Sequence, residues 1–297
     1  MVLENFKSMW FETDREKREA VQDIMQNIVD CTAKAEFDAF DGDPLMKSDN
    51  PVLQYYDAAL ERLLTDIPAT QVLPGQVAVW YLYNMGYVIK TPTGCFGVDI
   101  HHRHAEKLVP LLDFTAVTHY HRDHFDLPFL YKMNEAGKMV ISSFFPNAGY
   151  TKAFEYTYDM PGKVTVCCSE ADHNATLKKF VMPLEFVCVT GDKKFVFFTS
   201  GDCCDHEFLC PKSEQIDLYA IHPRCIMDPL KAVEKVSPQM TFICHLHELS
   251  HEINCWRWQY SVGRDEERAL AGLGKKSYVP VWGEKFIWDG TQITVCR

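Results

Sequence analysis

The rhythm of apolar positions changes near residue 75: before it they recur at helical spacing, and after it they bunch into short β-rich runs. In the first pattern Val21, Ile24, Met25, Ile28 and Val29 share one helical face, after a cap-rich start at Thr13 and Asp14. The second opens at Asn50-Pro51, an N-cap followed by proline in the first turn, and turns Leu53, Tyr56, Leu60 and Leu63 inward. Both helices need something to pack on. The expectation is a helical extension over residues 1–75 and a main domain over 76–297.

The main domain opens with VAVWYLY, GYVIKT, a TPTG turn and CFGVDI, which read as antiparallel strands. A helix is expected around Ala105 to Leu112, then the strand FTAVT, the loop THYHRDHFD, a helix from about Asp126 to Glu135 and the strand KMVISSF. A second set of strands follows in KVTVCC, FVMPLEFVCV and FVFFTS, ending at Gly201-Asp202. Next come IDLYAI as a buried strand, DPLKAVEK as a helix capped by Asp228, MTFIC as a strand, ELSHEINCWRWQY as a helix, and a β-rich close. Two sheets bracketed by helices predict a four-layered αββα sandwich, with a three-layer α/β fold as the alternative.

Composition narrows the function classes. A chain of 297 residues that is 47% hydrophobic and 24% charged can bury the core of one large domain. No run of about eighteen apolar residues predicts a membrane span. The start MVLENFKSMWFETDREKRE has no basic cap followed by an apolar run, so a soluble, cytoplasmic protein is expected. The twelve cysteines are scattered, often inside apolar strands, and are read as reduced thiols. None forms a CxxC pair, so any metal must rest on histidine and carboxylate. A formal charge of −11 argues against a nucleic-acid partner, which would need a basic surface.

The segment His119-Tyr-His121-Arg-Asp123-His124 directly follows FTAVT. Alternation at the end of an extended strand points His119 and His121 the same way, as two arms on one metal; Asp123 and His124, after a turn, can face a second. Zinc-like ions favour imidazole nitrogen and carboxylate oxygen, and two of them about 3.5–4 Å apart can activate a water and hold a leaving oxygen.

This segment matches the HxHxDH signature in full, and the chain from roughly residue 77 onward resembles the metallo-β-lactamase superfamily. The resemblance implies two divalent metal ions, with zinc or manganese preferred over iron, and a small-molecule substrate. It assigns Asp99 to supporting the metal loop, His173 to the first metal with His119 and His121, Asp202 to bridging, and His245 to the second metal with Asp123 and His124. His247 is the reserve for the last position, with His251 beyond it. Asp123 would also orient the attacking water. HPRCIMDPLKAVEKV and WGEKF look most like the branch that contains ascorbate-6-phosphate lactonase. His222 and Arg224 are candidates for gripping a phosphate or carboxylate.

Each of these residues has an ordinary structural alternative. His173 or His245 taken singly reads as a surface or hydrogen-bonded histidine, and Asp202 as a turn residue. His222 and Arg224 suit an exposed salt-linked loop equally well. His101, His102 and His104 are read as a solvated loop or a substrate rim, and Cys203 and Cys204 as packing. The leading expectation is a hydrolase of a small ester, lactone or phosphoester. The alternatives are a phosphodiesterase or nuclease, a non-catalytic metal-binding scaffold, and a di-iron oxidoreductase. The N-terminal helices could serve as a lid or a homo-oligomer contact, with packing on the outer layer as the default.

Overall fold

The computed structural model describes residues 15–146, 156–253 and 255–296. Two mixed seven-stranded sheets pack face to face, ordered β14-β13-β1-β2-β3-β4-β5 and β12-β11-β10-β9-β8-β7-β6. In the first, β1 (Val77–Tyr81), β2 (Tyr87–Lys90) and β3 (Cys95–Val98) run antiparallel, and β4 (Phe114–Ala116) and β5 (Met139–Ile141) continue parallel to β3. In the second, β6 (Thr157–Met160), β7 (Val164–Cys168), β8 (Leu184–Thr190) and β9 (Lys193–Thr199) are antiparallel. There β10 (Leu218–Ile221), β11 (Met240–Ile243) and β12 (Ser277–Tyr278) extend β9 in parallel. The first sheet is completed by β13 (Glu284–Trp288) and β14 (Ile293–Cys296).

Every residue of β1 is buried, because a helical layer covers one face and the second sheet the other, which is why VAVWYLY reads as a continuous apolar run. Aromatic contacts knit the sheets together, with Phe96 stacked 5.1 Å from Phe186 and Phe242 4.5 Å from Phe286.

The register sets up the chemistry. Val98 pairs with Ala116 in one sheet, and Ala220 with Thr199 and Ile221 with Ile243 in the other, so the parallel strands end nearly level. The residues just beyond those ends are Asp99, Thr118-His119, Asp202, His222 and His245. Both sheets therefore deliver polar side chains to one rim of the sandwich.

The N-terminal region holds α1 (Arg15–Val29), α2 (Lys34–Gly42) and α3 (Pro51–Ala69). The expected start of the first helix at Thr13 and Asp14 lies outside the described residues. Asn50 caps α3 by accepting from the Val52 amide at 3.0 Å. Phe37 and Phe40 bury the extra helix α2, which the sequence pattern did not single out. All three helices share one apolar core with the sheets, and buried arginines fasten them. Arg18 binds both Glu284 oxygens at 2.7 and 2.8 Å, and Arg103 binds Asp57 and the carbonyls of Phe40, Asp43 and Met46.

The other helices are α4 (Leu127–Glu135), α5 (Pro229–Val236) and α6 (Tyr260–Gly272). Asp228 caps α5 by accepting from the Lys231 amide. Two expected helices need correction. The stretch from Ala105 makes only a single 3-10 turn, Ala105–Leu108. The described residues of ELSHEINCWRWQ are not helical: α6 begins only at Tyr260, and its described approach is irregular. The carbonyls that a helix would have used are taken by Arg257, which donates to Leu249 at 2.8 Å and to His251 at 3.0 and 2.7 Å.

Candidate metal centre

The Asp99 carboxylate organises the rim from below. It sits in left-handed backbone (φ 47°), buried, and Oδ1 accepts the Thr118 amide at 2.7 Å. Its Oδ2 accepts the Thr118 hydroxyl at 2.8 Å and lies 3.0 Å from His124 Nδ1. With its hydrogen given to Asp99, the Thr118 hydroxyl can only accept from His119 Nδ1, 3.0 Å away. One carboxylate thus ties up the Nδ1 side of two imidazoles and leaves both Nε2 atoms for the rim, the arrangement that metal-binding histidines require.

Those Nε2 atoms face a cluster. Asp202 Oδ2 lies 3.7 Å from His119 Nε2, 3.6 Å from His173 Nε2 and 3.7 Å from His245 Nε2, while Oδ1 lies 3.3 Å from His124 Nε2. Asp123 Oδ2 is 3.0 Å from His245 Nε2 and 3.6 Å from His124 Nε2. The donors divide into one set of His119, His121, His173 and Asp202 and another of Asp123, His124 and His245, each with ligand atoms within 4.8 Å of one another. His119 Nε2, His124 Nε2, His245 Nε2 and Asp202 Oδ1 are all buried without a hydrogen-bond partner. Burying such atoms unpaired is costly, and four converging on one space fit a pair of divalent ions.

Burial disfavours the charged form of His119 and, together with nearby His124, holds it neutral. His124 goes the other way: burial is outweighed by Asp202, Asp123 and Asp99, which raise its pKa well above the usual imidazole value. Asp202 and Asp123 resist the same burial penalty through the imidazoles around them, and both stay well below the ordinary carboxylate value.

At His173 the preparation differs. Asn174 Oδ1 accepts from the Thr176 amide and hydroxyl and from the Leu177 amide, which turns the Asn174 amide nitrogen toward His173 Nδ1 at 3.0 Å. That contact places the ring hydrogen on Nε2, so His173 has to change tautomer to serve as a ligand.

At the last position the two candidate histidines part. His245, in left-handed backbone (φ 58°), faces Asp123 and Asp202, whereas His247 turns its ring against Tyr260 at 4.0 Å between centroids. His222 stacks on His245 at 3.9 Å, and its Nδ1 accepts from the amides of Arg224 and Cys225 at 3.2 and 3.3 Å. Its neutral form therefore presents an Nε2 hydrogen and no lone pair, although the ring also groups with Asp202 and His245. Arg224 is exposed on the rim, 3.9 Å from Glu266. These side chains line a cavity of about 230 Å³ with Trp256 and Trp258 on its wall.

Some of the machinery escaped sequence reasoning. Asn84 Nδ2 donates to Asp123 Oδ2 at 3.0 Å and to its carbonyl at 3.1 Å. Glu248, fully buried, forms another three-residue group with Asp123 and His251. Left-handed Asn84 in the NMG turn carried a weak signal; Glu248 carried none. The other histidine run lies apart from the cluster: His102 stacks on Tyr56 at 4.1 Å, and His101 is buried 3.4 Å from Asp41 on the wall of a separate cavity of about 640 Å³, so neither is in a solvated loop, while the rim alternative stays open for His101. Cys203 is buried, with its thiol on the Asp205 carbonyl.

Among known proteins, no family model matches this chain and no curated protein matches it. Solved structures do. A metallo hydrolase from the hyperthermophilic archaeon Ignicoccus hospitalis superposes with a TM-score of 0.54 at 16% identity, over 72% of this chain and 98% of its own. The di-iron β-hydroxylase CmlA of Streptomyces venezuelae gives 0.51 at 11% identity, over 74% of this chain but only 54% of that one. At such identities the likeness is one of fold. With its two mixed seven-stranded sheets flanked by helices, the chain has the four-layered metallo-β-lactamase fold.

Proposed function

We propose that this protein is a metallo-β-lactamase-superfamily hydrolase that holds two divalent metal ions and cleaves a small ester, lactone or phosphoester. The observation that carries the reading is the convergence of His119, His124, His245 and Asp202 atoms that are buried and unpaired, two of them preset by Asp99. His119, His121 and His173 would hold one ion, Asp123, His124 and His245 the other, and Asp202 would lie between them. When bound, such ions supply Lewis-acid charge and lower the pKa of water toward about 7.

The protein's own groups do the rest. Asn84 fixes Asp123, which orients water on the substrate side. His222 would donate its Nε2 hydrogen to a substrate oxygen, and Arg224 would offer a fork for a phosphate or carboxylate. Trp256 and Trp258 give an apolar part of the substrate a wall. A cavity of about 230 Å³ lies at the small end of ligand pockets, which favours a compact molecule over a polymer. The charge of −11 favours the same choice over nucleic acid. The lactonase-like branch is the finer form of the proposal.

The metal is proposed to be zinc or manganese. Iron, with oxidative chemistry, is the second reading, because the di-iron β-hydroxylase CmlA shares this fold. A cytoplasmic location is proposed from the twelve free thiols. The test is a paired assay of zinc-, manganese- and iron-loaded protein on bis(p-nitrophenyl) phosphate and on simple lactones. Turnover of either probe by the zinc or manganese form, lost in His124→Ala, supports the hydrolase. Metal-loaded protein inert on both contradicts it.

A further inference from the structure

Glu248 and His251 form a pair that the metal reading does not use. Glu248 is fully buried in the irregular approach to α6; its Oε1 accepts from the Tyr83 hydroxyl at 3.0 Å and the Ser250 amide at 2.8 Å, and its Oε2 is hydrogen-bonded to His251 Nδ1. With these bonds in place the Glu248 carboxylate is engaged as an acceptor, not left open as a metal ligand. The His251 ring lines the metal cavity, its centroid 6.5 Å from that of the His245 ring, and with Nδ1 engaged by Glu248 the nitrogen left for chemistry is Nε2. A fixed backbone holds the pair: Arg257 donates twice to the His251 carbonyl and once to Leu249, and its other nitrogen reaches the Val29 and Thr32 carbonyls at the end of α1. An imidazole on the wall of a reaction site, tied at Nδ1 to a buried carboxylate, is the arrangement by which a histidine is oriented for proton transfer.

From this geometry we infer that His251 is the general acid of the reaction, delivering a proton from Nε2 to the leaving oxygen, and that Glu248 is its positioning residue. The inference rests on the hydrolase reading. As the water oxygen bonds to the acyl or phosphoryl centre, the bond to the leaving oxygen breaks and its electron pair stays on that oxygen, which takes the His251 proton. The attacking water has lost one proton to solvent, and His251 regains one from solvent after the product departs, so protons balance. A good leaving group needs this proton little; an alkoxide needs it badly.

The experiment compares wild type, His251→Gln and Glu248→Gln, all metal-loaded, on p-nitrophenyl and ethyl esters of butyrate and of methyl phosphate. Metal content and the low-field imidazole proton NMR spectrum are recorded alongside. In His251→Gln, kcat on the ethyl esters should fall by about 10²–10⁴, the usual contribution of a general acid, and on the p-nitrophenyl esters by no more than about tenfold. KM and metal content should hold. Glu248→Gln should remove a low-field Nδ1 hydrogen signal that wild type shows, and should lower kcat in the same leaving-group-dependent way. Equal falls on both ester types, or no fall, overturn the inference while leaving the hydrolase standing. Loss of metal in His251→Gln overturns it in favour of a ligand role. A wild type that cleaves none of the four esters contradicts the hydrolase reading itself, and this inference with it.

Discussion

Asp99 spends its two oxygens on Thr118 and His124 and, through the Thr118 hydroxyl, fixes His119 as well. Asp99→Asn keeps the shape but puts a donor where two hydrogens already point. Metal affinity should drop about 10–100-fold in a chelator competition, the usual cost of losing an outer-shell partner. An unchanged affinity would mean that the tautomers are set elsewhere. His245→Ala should lower the metal content of purified protein while His247→Ala leaves it at the wild-type level; the reverse would exchange their roles. The site was legible in the sequence where its residues are neighbours along the chain, as in the six residues from His119 to His124. Asn84 and Glu248 were not legible, because their parts depend on contacts across 39 residues to Asp123 and 165 residues to Tyr83.

At the level of elements, β-runs such as VAVWYLY and caps such as Asn50 and Asp228 announce themselves locally, and the structure contains them. The approach to α6 was misread because its backbone is satisfied by a guanidinium, and no hydrophobic period records where Arg257 will reach. Arg18 makes a similar long-range tie, holding α1 to the fully buried Glu284. Arg18→Met would leave that carboxylate buried without its cation. A loss of about 3–5 kcal/mol is expected in urea unfolding, with part recovered in the double variant Arg18→Met, Glu284→Gln. A loss below about 1 kcal/mol would show that the helix is held by its apolar face alone.

For the molecule as a whole, the seam between the helical region and the sheets carries a pH dependence. Burial opposes a charged His101, but Asp41 outweighs it and pushes the pKa up from 6.5 to about 9, while Asp41 itself is held well below its usual value. A raised histidine stabilises the fold fully below its unfolded pKa of 6.5 and loses that contribution as pH rises through about 9. Unfolding free energy should therefore decline between these values, and His101→Gln should flatten the decline; an equal slope in the variant would contradict the pairing. Among the described residues no helix is long and apolar enough to cross a membrane.

The most direct test of the proposed dinuclear site is metal analysis by inductively coupled plasma mass spectrometry on untagged protein, beside a variant carrying Asp123→Ala and His124→Ala. About two divalent ions per chain are expected in the wild type, as two-metal hydrolases hold, and about one or fewer in the variant. Protein that binds no metal when offered zinc, manganese or iron, or a variant that binds as much as the wild type, would contradict the site.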